Sequence, residues 1–425
     1  MKPFRLLSAT YKYRKWLSSG LFGLLLIFTG IAVFVYGTKI ETAKLIAALL
    51  FCGAGIVLCF NCFRRIILAL LQLTKNGQMP LSNNMLDIGR NIYRRSQLRE
   101  GPRIAVIGGG TGISTMLRGL KTHTSNISAI ITVADDGGSS GMLRRNLGML
   151  PPGDIRNCIL ALAETEPQME KLLQYRFKDG DLKGQSFGNL FLAAMSGISE
   201  NFETAVKNMS QVLAVTGTVL PVTSENINLI AELEDNTIIK GESRIGEHHL
   251  FHPGRIKRLY LDKTNVKPLE SALAAIDNAE VIIIGPGSLY TSIIPNLLVN
   301  NVVDRIVKSK AIKIYVANIM TQPGETEGYT VCDHIEAIYR HANNERLFDY
   351  CIVNTQKIPE SVYQRYKDDG AEAVKIDAAR IKKLGIKLIE RELVQLKDGL
   401  YIRHDPAKLA DAVMSICSDI ERIGR

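Results

Sequence analysis

The sequence predicts an α/β fold of Rossmann-like kind: a mostly parallel sheet with helices on both faces, preceded by a two-helix transmembrane hairpin. Three observations predict it. Short, continuously apolar runs recur at 103–107, 129–134, 281–284, 312–316 and 351–353, with helical stretches between them, as strands buried on both faces require. Glycine-rich or polar loops follow most of those runs directly, and an open parallel sheet binds its ligands at that end. Two uncharged stretches, Leu17–Gly37 and Leu45–Phe63, stand ahead of all this.

Those stretches are 21 and 19 residues long. At about 1.5 Å per residue each makes a helix of roughly 30 Å, enough to cross a hydrocarbon core. The connection Thr38–Lys44 is seven residues, so the spans form a tight antiparallel hairpin. Lys2, Arg5, Lys12, Arg14 and Lys15 precede the first span, and Arg64, Arg65 and Lys75 follow the second. The positive-inside bias puts both termini and the main domain in the cytoplasm, tethered to the cell membrane. Trp16 and Tyr36 stand at span ends, where aromatic rings anchor to the interface. A cleaved signal is the competing reading, but no small-residue cleavage site follows and a second span comes at once. Cys59 and Cys62 have redox-pair spacing but no second pair, and read as packing residues at a span end. The hairpin thus occupies 1–63, a basic linker that lies along the anionic leaflet 64–100, and the α/β domain 101–425.

Charge supports this division. The net charge of +10 comes from the N-terminal hundred residues, which hold 14 Lys/Arg against 3 Asp/Glu; the remainder holds 38 against 39. Nucleic acid is therefore not an expected partner. Seven irregularly spaced cysteines make no disulfide framework. The chain leaves room for a homo-oligomer.

The first loop, Gly108-Gly109-Gly110-Thr111-Gly112, lets backbone approach a phosphate, with a helix N-terminus behind it. It misses the dinucleotide fingerprint, because the third glycine would fall at Ile113. Asp135 lies where a ribose-gripping acid would, so a nicotinamide enzyme stays in play. Asp135 and Asp136 are candidates for a divalent metal such as Mg²⁺ or for ribose hydroxyls, and Ser139, Ser140 and Gly141 offer donors to phosphate. Asp154 reads as an N-cap with Ile155, Cys158, Ile159 and Leu162 as the buried stripe, and Arg156 and Asn157 fall in the first turn. Asn189 caps the next apolar helix or reads a base. Gly285, Gly287, Ser288 and Tyr290 follow one strand, and Asn318, Thr321 and Gln322 follow another. Together these loops describe a cleft for a phosphorylated, nucleotide-sized ligand. His248, His249 and His252 read as a surface loop, and Asp405-Pro406 as the start of a structural helix. No catalytic residue can be named.

The loops resemble those of YvcK-type gluconeogenesis factors, which are related to CofD-like 2-phospho-L-lactate transferases. The matching text is IAVIGGGTG, TVADDGGSSGMLR, PPGDIRNC, GQSFGNL, GPGSLYTSIIPNLL and ANIMTQPGETEGYT, in order within residues 100–425. The resemblance implies a Rossmann-like fold, a UDP-sugar ligand such as UDP-N-acetylglucosamine, and a role in cell shape and cell-wall supply under gluconeogenic growth. With no general base and nucleophile pair to name, the chain reads as a ligand-binding factor more than an enzyme, and as a phospho-group transferase if it is one. The acidic, histidine-bearing loop associated with the deazaflavin substrate of the transferase branch is not apparent here. The transmembrane hairpin is an addition to the family's soluble form.

Overall fold

In chain order the strands are β1 (Ile104–Gly108), β2 (Ile127–Ile131), β3 (Thr218–Pro221), β4 (Leu229–Leu233), β5 (Ile238–Lys240), β6 (Ile256–Leu261), β7 (Val281–Ile284), β8 (Ile312–Val316), β9 (Tyr350–Asn354), β10 (Lys387–Arg391), β11 (Val394–Lys397) and β12 (Tyr401–His404). Seven of them form one sheet in the order β10-β9-β8-β7-β1-β2-β3, and every neighbouring pair is parallel. The computed structural model describes residues 3–35, 42–75, 95–164, 167–397 and 399–423.

Alternation along the strands builds two cores. Ile104, Val106, Ala129, Ile131, Val281 and Ile283 face one side, with the helices Gly110–Leu120, Gly153–Leu162 and Pro406–Ile423 packed on them. Ala105, Ile107, Ile130, Ile282 and Ile284 face the other, under the helices Glu270–Asp277, Val302–Lys308 and Val331–His341. This is the helix–sheet–helix arrangement the apolar runs predicted. Two antiparallel additions were not predicted: β5-β4-β6, and the β11-β12 hairpin. In the last helix, Asp405 caps as expected, its Oδ1 accepting from the amides of Ala407 at 2.9 Å and Lys408 at 3.1 Å.

The chain divides into two units, Met1–Gln97 and Leu98–Arg425. In the first, α1 (Pro3–Val35) and α2 (Thr42–Lys75) pair along a seam of small residues. A Cβ on Gly23 would stand 2.9 Å from the Gly55 carbonyl oxygen and 2.9 Å from Cys59 Sγ, and one on Gly30 would stand 2.6 Å from Cys52 Sγ. The large residues point outward instead, with Leu21 70% and Phe28 71% exposed. Such a pair is inside out relative to a water-soluble core, as helices surrounded by lipid are. The first part of the expected linker, 64–75, continues α2. Tyr36, most of the connection 38–44, and 76–94 of the linker lie outside the described residues.

Candidate functional site

From β1 the chain runs to β2 and β3 on one side, and from β7 to β8, β9 and β10 on the other. The carboxyl ends of β1 and β7 therefore lie where the connections diverge, and a crevice opens there. The loops Gly108–Gly112 and Gly285–Tyr290 meet at this point. Gly110 adopts φ +68, which only glycine takes without strain. Gly112 permits the close approach: a Cβ there would stand 2.4 Å from the Pro286 carbonyl oxygen. The helix Gly110–Leu120 begins without a cap from its own N-cap residue, Gly109, and its positive end faces this turn.

Carboxylates gather on one side of this turn. Asp136 is engaged: its oxygens accept from the amides of Glu242 and Ser243, each at 2.9 Å. Asp135 Oδ1 accepts from the Gly137 amide at 3.0 Å. Asp154 is not the expected N-cap. The helix Gly153–Leu162 places it one residue inside its start, with Pro152 at the cap position, and its carboxylate accepts from the Gly110 amide. Desolvation and then Asp135 raise Asp154 to about 6. Glu242, which the sequence did not single out, is raised to about 8 by desolvation and by Asp135, Asp136, Glu325 and Asp154. Among the described residues no three His, Cys, Asp or Glu side chains converge to hold a metal.

Most of the predicted polar donors bond to one another. Ser139 Oγ donates to Gln185 Oε1 at 2.6 Å and accepts from the Ser186 amide at 3.2 Å and Asn189 Nδ2 at 3.1 Å. One hydroxyl has no more to offer. Asn189 is only 2% exposed, with Nδ2 turned to Ser139 and Oδ1 buried without a partner. Ser140 lies against the start of the next helix, 2.4 Å from where a Cβ on Gly153 would stand, and Gly141 against the Asp136 carbonyl, where a Cβ would come within 1.8 Å. Asn318 grips Gly287 twice, accepting from its amide at 3.0 Å and donating to its carbonyl at 2.8 Å. Ser288 donates to Gln322 Oε1 at 2.6 Å. Buried Glu325 accepts from the Tyr290 amide at 2.8 Å, Thr291 Oγ1 at 2.7 Å and Gln322 Nε2 at 2.9 Å. Tyr290 is wholly buried, and Thr321 pins its loop to Glu372 through an amide at 2.7 Å and a hydroxyl at 2.8 Å. The polar residues after β7 and β8 thus clamp two loops into a fixed rim. His248 is likewise no surface residue: it is fully buried, with its ring nitrogens 2.8 Å from the carbonyls of Ile245 and Gly254.

On the other side of the glycine turn lies a cleft of about 770 Å³. Its lining includes Thr111, Arg156 and Asn157, as predicted, together with Arg118, Arg176, Lys397, Tyr401 and Arg403. Five cations face one carboxylate, Glu170, which pairs with Arg118 at 3.6 Å. Burial, and Arg176 beside it, draw Arg156 below the usual guanidinium range. Lys397 and Arg403 come from β11-β12, where Lys397 pairs with Tyr401 and Gln395 with Arg403. Opposed residues share one face of a hairpin, so Gln395, Lys397, Tyr401 and Arg403 turn to the cleft while Val394 and Ile402 enter a small core of their own. The alternation VQLK–YIRH was the available sequence signal.

The family described as 2-phospho-L-lactate transferase CofD matches residues 104–394. The chain belongs to the CofD family. Among CofD relatives, the Gluconeogenesis factor of Bacillus subtilis (strain 168) is 46% identical over 319 residues, 75% of this chain and 99% of that protein. A Gluconeogenesis factor from Listeria monocytogenes is 43% identical over 319 residues, 74% of this chain and 95% of that protein. A Nostoc sp. relative is 43% identical over 422 residues, 97% of this chain and 92% of its own length, so the likeness there extends through the N-terminal unit. The crystal structure of protein BH3568 from Bacillus halodurans superposes with a TM-score of 0.71 at 45% identity, covering 74% of this chain and all of that one. Within the CofD family this chain therefore stands with the gluconeogenesis factors, and its α/β domain has their fold.

Proposed function

We propose that this gluconeogenesis factor binds a nucleotide sugar of the UDP-N-acetylglucosamine type, linking it to cell-wall precursor supply. One observation carries the reading: five cations with a single carboxylate converge beside the start of the helix Gly110–Leu120. A concave site with such an excess of guanidinium and ammonium groups over carboxylates calls for a di- or polyanion. Across the glycine turn, Asp135 and Asp154 repel further negative charge but accept hydroxyls, which suits a neutral sugar at the far end of a diphosphate. Calorimetry with UDP-N-acetylglucosamine, GDP and NAD in parallel tests the reading. UDP-N-acetylglucosamine is expected to bind most tightly, and tight NAD binding without UDP-sugar binding would replace the proposal with a nicotinamide enzyme. The acidic group, with Glu242 largely protonated near neutral pH, favours phospho-group transfer as a second reading. Release of UDP or UMP in the same mixtures would establish it.

We further propose that α1 and α2 anchor the protein in the cell membrane with both termini cytoplasmic. The windows Ser18–Val35 and Leu45–Arg65 have mean hydropathies of 2.2 and 2.4 and are only 11% and 17% buried. Full-length protein is expected to stay with membranes through sodium carbonate extraction. Release into the supernatant would mean a peripheral attachment.

A further inference from the structure

We propose that Ser186 is a positioning residue for Arg156, setting the plane in which its guanidinium faces the cleft. The inference rests on the nucleotide-sugar reading and deepens it. Ser186 occupies the N-cap position of the helix Phe187–Gly197, where a serine ordinarily turns its hydroxyl back onto the helix amides. It makes no such bond. Its Oγ instead accepts a hydrogen bond from Arg156 Nη1.

The acceptor is immobile. Ser186 is 1% exposed, and its amide donates to Ser139 Oγ at 3.2 Å. The backbone on both sides is pinned, by Phe177 N to Gln185 O at 2.9 Å and by Phe187 N to Tyr175 O at 2.9 Å. Gly188 completes the channel, because a Cβ there would stand 2.6 Å from Arg156 Cδ. The side chain of Arg156 thus threads between Ser186 and Gly188, and Nη2 donates to Asn157 Oδ1 at 2.7 Å. Both of its partners are neutral oxygens, and among the described residues no carboxylate forms a salt bridge with it. Two of the five N–H donors hold the orientation, Nε is buried without a partner, and one donor on each terminal nitrogen remains for an anion. The GQSFGN segment is therefore a cradle for the cation.

The test is a double-mutant cycle on full-length protein, with UDP-N-acetylglucosamine as the probe. Ser186→Ala is expected to weaken binding about tenfold, the loss of one orienting hydrogen bond to a charged group. Ser186→Thr, which keeps the hydroxyl, should restore most of it. In an Arg156→Ala background Ser186→Ala should have no further effect, which a general structural role would not produce. If alanine at 186 does not fold, Ser186→Cys, of similar volume but a weak acceptor, takes its place in the cycle. Additive losses, or weakening by Arg156→Ala with Ser186→Ala unchanged, would overturn the positioning role and leave the nucleotide-sugar reading standing. Absence of binding by the wild-type protein would overturn both.

Discussion

Reversing two charges, Lys397→Glu with Arg403→Glu, is expected to weaken UDP-N-acetylglucosamine binding at least a hundredfold. Each cation is positioned for a charge-assisted hydrogen bond, a contribution of about 1.5–3 kcal/mol when lost, and reversal adds repulsion. The change spares the fold for a definable reason. Both residues lie on the cleft face of β11-β12, while the opposite face supplies Val394 and Ile402 to the small core with Ile319 and Val362. A thermal melt should therefore be nearly unchanged while calorimetry shows the loss. Unaltered affinity would place the ligand outside this cleft.

The largest effect on stability is expected from Gly119→Ala. Gly119 lies next to the end of the helix Gly110–Leu120, and a Cβ there would stand 1.9 Å from the Pro406 carbonyl oxygen. Backbone is the obstacle, so no rotamer change relieves it. The helix Pro406–Ile423 must move, and it buries Leu409, Ala412, Val413 and Ile416 against the sheet. Overpacking of this kind costs about 3 kcal/mol, which would lower a urea midpoint by roughly 1 M. Gly197→Ala is the control, because nothing lies within 4 Å of its added Cβ. Equal midpoints for the two variants would show that the helices separate without penalty.

The sheet was legible because strands covered on both faces must be apolar throughout. The runs at 281–284 and 312–316 coincide with β7 and β8. β4 was not legible: its residues alternate between buried and half-buried, and a strand of that length is too short for alternation to stand out. The loops of the site were legible as loops, since strand-end glycines have few other uses. The duties of their side chains were not. Ser139, Asn189, Asn318 and Gln322 have the chemistry of ligand donors, but whether a hydroxyl or amide faces a ligand or a neighbour depends on contacts between distant segments. Such contacts separate Ser139 from Gln185 by 46 residues and Asn318 from Gly287 by 31. Glu242 and Arg403 were missed for the same reason, since each reaches the crevice from an element that no local pattern ties to β1.

The helix Gly153–Leu162 carries Asp154 toward the acidic group and Arg156 toward the basic cleft, two residues apart. This polarity bears on selectivity in a cell crowded with free nucleotides. A nucleoside triphosphate seated with two phosphates on the cations would present its third to Asp154 and Asp135, where like charge opposes it in a partly desolvated site. A nucleotide capped by a sugar presents hydroxyls instead. On the nucleotide-sugar proposal, the helix start would thus favour a sugar-capped nucleotide over a free triphosphate.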